Sequence, residues 1–141
     1  STRDRLRMAV SDAPGAREAI TTYRTLERFE AGTRDEGYSL LECHLYTGRT
    51  HQIRVHMRHT GHPLVGDQLY GRGDDRVNLG LRRQFLHSWS IAFDHPATGE
   101  RIERCDRLPD DLLAILNQIG ERSMGRTEAG ERICPLLGCD D

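Results

Sequence analysis

Thr47-Gly48-Arg49-Thr50-His51-Gln52-Ile53-Arg54-Val55-His56 is the stretch on which the reading of this chain turns. Thr47-Gly48 breaks the strand-like residues before it, Thr50 is placed as a helix N-cap, and Gly61 followed by Pro63 supplies a C-terminal stop. Ile53 and Met57, four apart, share a helical face, although Ile53, Val55 and Met57 also alternate as a strand would. The two caps decide for a helix over residues 51–60. A glycine turn entering such a helix offers unpaired backbone N–H groups to a phosphate. Arg49 in the turn adds a two-pronged donor that suits phosphate better than lysine does. His51 and Gln52, in the first turn, could bond sugar, phosphate or base edges. Arg54 projects from the side of the helix near its start, where a guanidinium can pair with a carboxylate and hold it ionised.

Charge is distributed to match. The formal net charge is −2, yet from Cys43 through Gly66 there are three of the 20 arginines and none of the 22 acids. Five of the seven histidines (His44, His51, His56, His59 and His62) fall in the same window. A positive strip on an acidic body favours an anionic partner at one place and limits unspecific adhesion elsewhere. His56, His59 and His62 invite a metal site, but His62 lies beyond the Gly61 stop and no carboxylate is near in sequence, so no metal is expected.

Outward from this stretch, Ala19 to Phe29 is rich in Thr, Ile, Tyr and Phe and predicts a strand. Ala31 to Gly37 reads as a loop of hairpin length. Tyr38 to Tyr46 alternates, with Leu41, Cys43 and Leu45 on one face and Glu42 and His44 on the other, which predicts its antiparallel partner. Pro63 to Gly73 is loop-like. Phe85 to Phe93 predicts a strand, 95–99 a turn, and Arg101 to Cys105 the returning strand of a hairpin. Leu108-Pro109-Asp110-Asp111 opens a helix with proline and acids in its first turn, and Leu112, Leu113, Ile115, Leu116 and Ile119 form its buried stripe before Gly120.

The sum is α+β, a mainly antiparallel mixed sheet with flanking short helices, in one domain over residues 1–120. The glycine- and charge-rich residues 121–141 read as a disordered tail.

Composition closes off several classes. At 141 residues and 36% hydrophobic, the chain can bury one modest core. The longest apolar run, Leu112 to Leu116, is far too short to cross a membrane. All 20 residues of the Lys+Arg count are arginine, which excludes lysine Schiff-base chemistry and a Walker A loop. Cysteines at 43, 105, 134 and 139 have the spacing of neither a disulfide framework nor a paired zinc site; reduced thiols in a cytoplasmic protein are the expectation. Residues 1–20 carry no apolar h-region, and the chain opens on Ser1 rather than Met.

The ordered set TGRTHQIRVH, then GHPLVGDQLYG, then LHSWSIAFDHPATGE and a closing LPDD resembles the C-terminal half of a catalytic domain of the RluA-type pseudouridine synthases. The resemblance runs from about Arg5, with RLRMAV and then Ala19, Thr21 and Tyr23, to about Ile119. It implies a cofactor-free, metal-free enzyme acting on structured RNA, chiefly large-subunit ribosomal RNA. The implied reaction flips a uridine out of the RNA, an aspartate attacks it, the glycosidic bond breaks, and the uracil rotates and rejoins through carbon. Arg54 matches the arginine that ion-pairs with that aspartate, and Ile53 and Val55 match residues beneath the site. Gly48, Arg49, Thr50, His51, Gln52 and Arg58 are the substrate- and RNA-contacting candidates.

The family's nucleophile lies in an H-R-L-D stretch, with an active-site tyrosine following it, and neither occurs in these 141 residues. Asp67 in VGDQLYG matches a different element and is expected to be structural. The expectation is therefore a fragment, inactive alone, whose nucleophile lies upstream. The alternative is a catalytically inactive RNA-binding fragment or degenerate synthase domain.

Overall fold

A computed structural model describes residues 4–9, 18–46 and 51–141 of the chain. Its centre is a long strand, β2 (Glu18–Phe29), whose β-branched and aromatic content suits a pleated surface packed on both sides. The antiparallel strand β3 (Tyr38–Leu45) covers one edge of β2, with Tyr38 opposite Phe29 and Leu45 opposite Thr21. The other edge is shared: β1 (Asp4–Ala9) pairs with its first half and β6 (Ser123–Arg126) with its second. The register slips between Thr25 and Glu27, a bulge that lets two residues of β2 face one of β3.

Residues 38–45 do alternate, but the apolar set is not the buried one. Leu40 and Glu42 are buried, Leu41 and Cys43 half-buried, and Leu45 exposed. Glu42 can turn inward because the Arg24 Nε donates to its Oε1 at 2.6 Å, so a paired charge replaces water around the carboxylate.

The core lies between this sheet and two helices, α2 (Asp110–Ile119) and α3 (Glu128–Leu137). Leu26, Phe29 and Leu40 meet Leu112, Ile115 and Ile119 of α2 and Ala129, Ile133 and Leu137 of α3. Burying a leucine such as Leu112 completely contributes about 2–3 kcal/mol of transfer free energy. Gly130 brings α3 hard against β2, since a Cβ there would collide with the Leu26 carbonyl. The expected stripe and Gly120 stop of α2 are both observed.

Three further expectations are corrected. Residues 121–141, read as a disordered tail, fold into β6 and α3 and supply Ile133, Cys134 and Leu137 to the core. The Thr127 hydroxyl accepts the Gly130 N–H at 3.0 Å to start α3, and its own hydrogen reaches the Thr25 carbonyl of β2 at 2.7 Å. Second, the strand read over 85–93 begins only at Ser90: the hairpin is β4 (Ser90–Asp94) with β5 (Arg101–Cys105). Upstream, Leu86 N–H bonds the Gln84 carbonyl two residues back at 2.9 Å and Phe85 N–H bonds Val65 O at 2.8 Å, so this segment turns against the core. Third, the helix expected over 51–60 is α1 (Gln52–His59), but its N-cap is His51 in the left-handed region, φ 52°, with no side-chain cap bond. Thr50, the expected cap, lies outside the described residues.

Candidate active site

The loop after α1 determines what Arg54 does. Gly66 adopts φ +78°, and a Cβ there would strike the Arg83 carbonyl and crowd Leu81, so only glycine lets the chain pass at this point. Its N–H donates to Oδ1 of buried Asn78 at 2.9 Å, and the Asn78 amide donates to the Arg72 carbonyl at 2.6 Å. The loop is thus pinned from inside, and the next residue, Asp67, is directed at α1.

Arg54 donates to Asp67 through two parallel bonds, Nε to Oδ2 and Nη2 to Oδ1, both 2.8 Å. The Asp67 side chain has no exposed surface and that of Arg54 is 13% exposed. Asp67 Oδ1 also accepts the Leu69 and Tyr70 N–H groups, each at 3.0 Å. The guanidinium and these amides, working against burial, hold the Asp67 carboxyl down to about 2. With both oxygens engaged and none exposed, Asp67 is an anchor and cannot reach a substrate.

The two bonds use the Nε–Nη2 edge of the guanidinium, which leaves Nη1 outside the pair. Tyr70 supports the arrangement: its ring lies 5.2 Å from the Arg54 Cζ, and its hydroxyl is 3.1 Å from His51 Nδ1. Arg54 lines an open cavity of about 320 Å³ with Leu45, His51, Gln52, Ile53, Gln84 and Leu86. That is the lower end of the size range for small-ligand sites.

The other sequence-derived candidates separate. His51 is exposed at the cavity rim. Gln52 is 3% exposed, and its amide donates inward to the Ile20 carbonyl at 2.9 Å and to Thr21 Oγ1 at 3.0 Å. Those bonds tie α1 to β2, so the part of Gln52 facing the cavity is not its amide nitrogen. Arg58 is exposed in the last turn of α1 and does not line the cavity. Gly48, Arg49 and Thr50 lie outside the described residues. His56 is fully buried with Nδ1 2.7 Å from the Thr21 hydroxyl, whereas His59 and His62 are exposed, so the three do not converge. Burial, with the nearby His59 charge adding to it, pushes the His56 imidazole below its ordinary value.

The sequence predicts a structural role for Asp67 and leaves Arg54 without an acid of its own. The structure joins them across thirteen residues. Gln84 had no motif to mark it, and Leu86 opens the LHSWSIAFDHPATGE element without a role being read for it. The available signal for Asp67 was the GD-x-x-Y spacing, which fits a carboxylate capping the amides two and three residues on.

Comparison with known proteins gives the family. Residues 2–59 match the model of the RNA pseudouridylate synthases. An uncharacterized RNA pseudouridine synthase of Chloroflexus aurantiacus is 50% identical over 121 residues, covering 86% of this chain and 35% of that protein. The ribosomal large subunit pseudouridine synthase D of Xanthomonas campestris is 43% identical over 140 residues, covering 92% of this chain and 40% of that protein. The chain therefore spans somewhat over a third of the length of these curated relatives. Among solved structures, human RNA pseudouridylate synthase domain containing 1 superposes with a TM-score of 0.66 at 23% identity, over 98% of this chain and 60% of that one, and shares its fold. The chain belongs to the RluA-type RNA pseudouridine synthase family. Its α+β architecture is that of a pseudouridine synthase catalytic-domain segment.

Among the described residues no helix is long and apolar enough to cross a membrane.

Proposed function

We propose that this chain is the arginine-bearing part of an enzyme that isomerises specific uridines of structured, ribosomal RNA to pseudouridine. Arg54 is the group that holds the nucleophilic aspartate ionised, and that aspartate lies in sequence upstream of these 141 residues. The observation that carries the reading is the guanidinium anchored on one edge by Asp67 while it lines an open cavity.

The chemistry follows from how the anchor is spent. Asp67 shares its charge among one guanidinium and two amides, so it does not fully neutralise Arg54. A second carboxylate brought to the Nη1 side would meet a preoriented cation in a partly dry site, where the attraction is stronger than in water. That carboxylate would stay ionised and nucleophilic at neutral pH. The flipped uridine would occupy the cavity beside Ile53, with His51 at the rim. Support for RNA as the partner comes from the acid-free window 43–66 and from the relatives, of which the Xanthomonas campestris protein is named for the ribosomal large subunit. The proposed reaction invokes no cofactor and no metal.

The test is a uridine-to-pseudouridine assay on the full-length enzyme with Arg54→Glu, alongside the 141-residue chain alone. The charge reversal is expected to lower product formation by at least about 10²-fold, the scale of losing one preorganised electrostatic contact. The chain alone is expected to form none. Normal turnover by Arg54→Glu would remove Arg54 from the site, and turnover by the chain alone would place the nucleophile within it.

A further inference from the structure

The C-terminal end of α3 holds a second chemical feature, unrelated to the Arg54 site. Gly138 ends the helix at φ 91°, and two backbone bonds then run back into the last turn. Gly138 N–H reaches the Pro135 carbonyl and Cys139 N–H reaches the Cys134 carbonyl, each at 3.2 Å. This is a Schellman cap, a geometry that draws the side chain after the glycine onto the one five residues earlier. In most proteins that contact is between two apolar side chains. Here those two positions are thiols, Cys134 in the buried cluster and Cys139 packed against it.

The two thiols are unequal. Cys134 is completely buried in the core, whereas Cys139 is half-buried and lines a cavity of about 170 Å³ with Phe29, Leu116 and Arg126. Arg126 is fixed there by Asp140, which accepts its Nη2 at 2.7 Å and its Nη1 at 3.1 Å, with Glu27 Oε1 3.5 Å from Nε. The hydrogen bond from Cys134 and the Arg126 charge draw the Cys139 thiol below its ordinary value, against burial and the Asp140 and Glu27 carboxylates. The same bond, with burial, pushes Cys134 up. Thiolate character and access therefore fall on Cys139, and a neutral thiol waits in contact with it.

We infer that this cap is an oxidation site, in which Cys139 reacts first with a peroxide and Cys134 then closes an intrachain disulfide. The Cys139 thiolate attacks one peroxide oxygen, the O–O bond breaks, and sulfenic acid forms with release of hydroxide, which takes up a proton as water. Cys134 sulfur then attacks the Cys139 sulfur, the S–O bond breaks, and the departing hydroxide leaves as water with the Cys134 proton. Two thiols are oxidised and one peroxide is reduced to two waters. The crosslink would fasten the helix end that carries Leu137 into the core.

The test treats the full chain with stoichiometric hydrogen peroxide, alkylates remaining thiols, and maps them by mass spectrometry. The expected product is a Cys134–Cys139 disulfide formed on the order of tenfold faster than oxidation of exposed Cys105. Cys134→Ser is expected to stop at a Cys139 sulfenic acid, trapped by dimedone. Cys139 still alkylatable after Cys105 has reacted would overturn the inference. So would Cys139 passing to higher oxides in the wild-type chain with no disulfide. Both are read on wild-type protein, so neither depends on a variant folding.

Discussion

Arg54 with Asp67 and Arg83 with Asp111 are the same pair chemically, closed by the same two bonds at nearly the same lengths. The first measures 2.8 and 2.8 Å, the second 2.7 and 2.9 Å. What differs is the surroundings. Arg54 and Asp67 are 13% and 0% exposed in the side chain, against 42% and 48% for Arg83 and Asp111. In both, the guanidinium draws its carboxyl below the ordinary range. Only in the first has water been removed, and with it the alternative partner for either charge. Identical geometry thus serves as surface trim in one region and as a structural anchor with chemical consequences in the other.

The largest effect is expected from stranding the buried cation. Asp67→Ala leaves Arg54 partly buried with no carboxylate and two amides unsatisfied, and should cost about 3–5 kcal/mol in chemical denaturation. A loss no greater than that of Asp111→Ala would erase the distinction between the two regions.

The anchor was only half legible in the sequence. The helix bearing Arg54 is bracketed by Gly48 and by Gly61 and Pro63, so its extent can be read without knowing what it packs on. Its partner could not be read so, because the loop geometry that aims Asp67 comes from Gly66 and Asn78, whose contacts are with Arg83, Leu81 and Arg72. Gln52 shows a second role the sequence did not announce: a polar side chain next to a basic strip suggests a ligand contact, and here its amide nitrogen is also spent on carbonyl and hydroxyl partners on β2. At the far end, the apolar period of Ala129, Ile133, Cys134 and Leu137 was present but diluted by charged and glycine neighbours. The strand read through Phe85 to Trp89 was over-extended because apolar content alone does not reveal a turn at Leu86.

Acid should expose the same contrast more gently. The Asp67 carboxyl is held at about 2, against 3.8 for the free group, so its contribution is complete above that ordinary value and is lost as pH falls through about 2. That contribution is on the order of 2 kcal/mol. A wild-type stability curve between pH 5 and pH 2 should show it, and Asp67→Ala should flatten it. His56 adds a smaller slope at milder pH. Its folded-state value lies below the ordinary 6.5, so stability should begin to fall as pH drops through 6.5, and no change between pH 7 and pH 5 would refute its buried, neutral state.

The smallest effect belongs to the surface pair. Asp111→Ala should shift the denaturation midpoint by a small fraction of the Asp67→Ala shift, and high salt should abolish even that.

Catalysis by the full-length enzyme offers the most direct comparison: Arg54→Lys against Arg83→Lys, assayed for conversion of uridine to pseudouridine at matched folded fractions. Lysine keeps the charge and forfeits the two-edged grip. Arg54→Lys is expected to lose about 10²-fold or more in rate while Arg83→Lys turns over as wild type does. Equal rates for the two variants would contradict the claim that the Arg54 guanidinium, held on one edge by Asp67, serves the reacting carboxylate with the other.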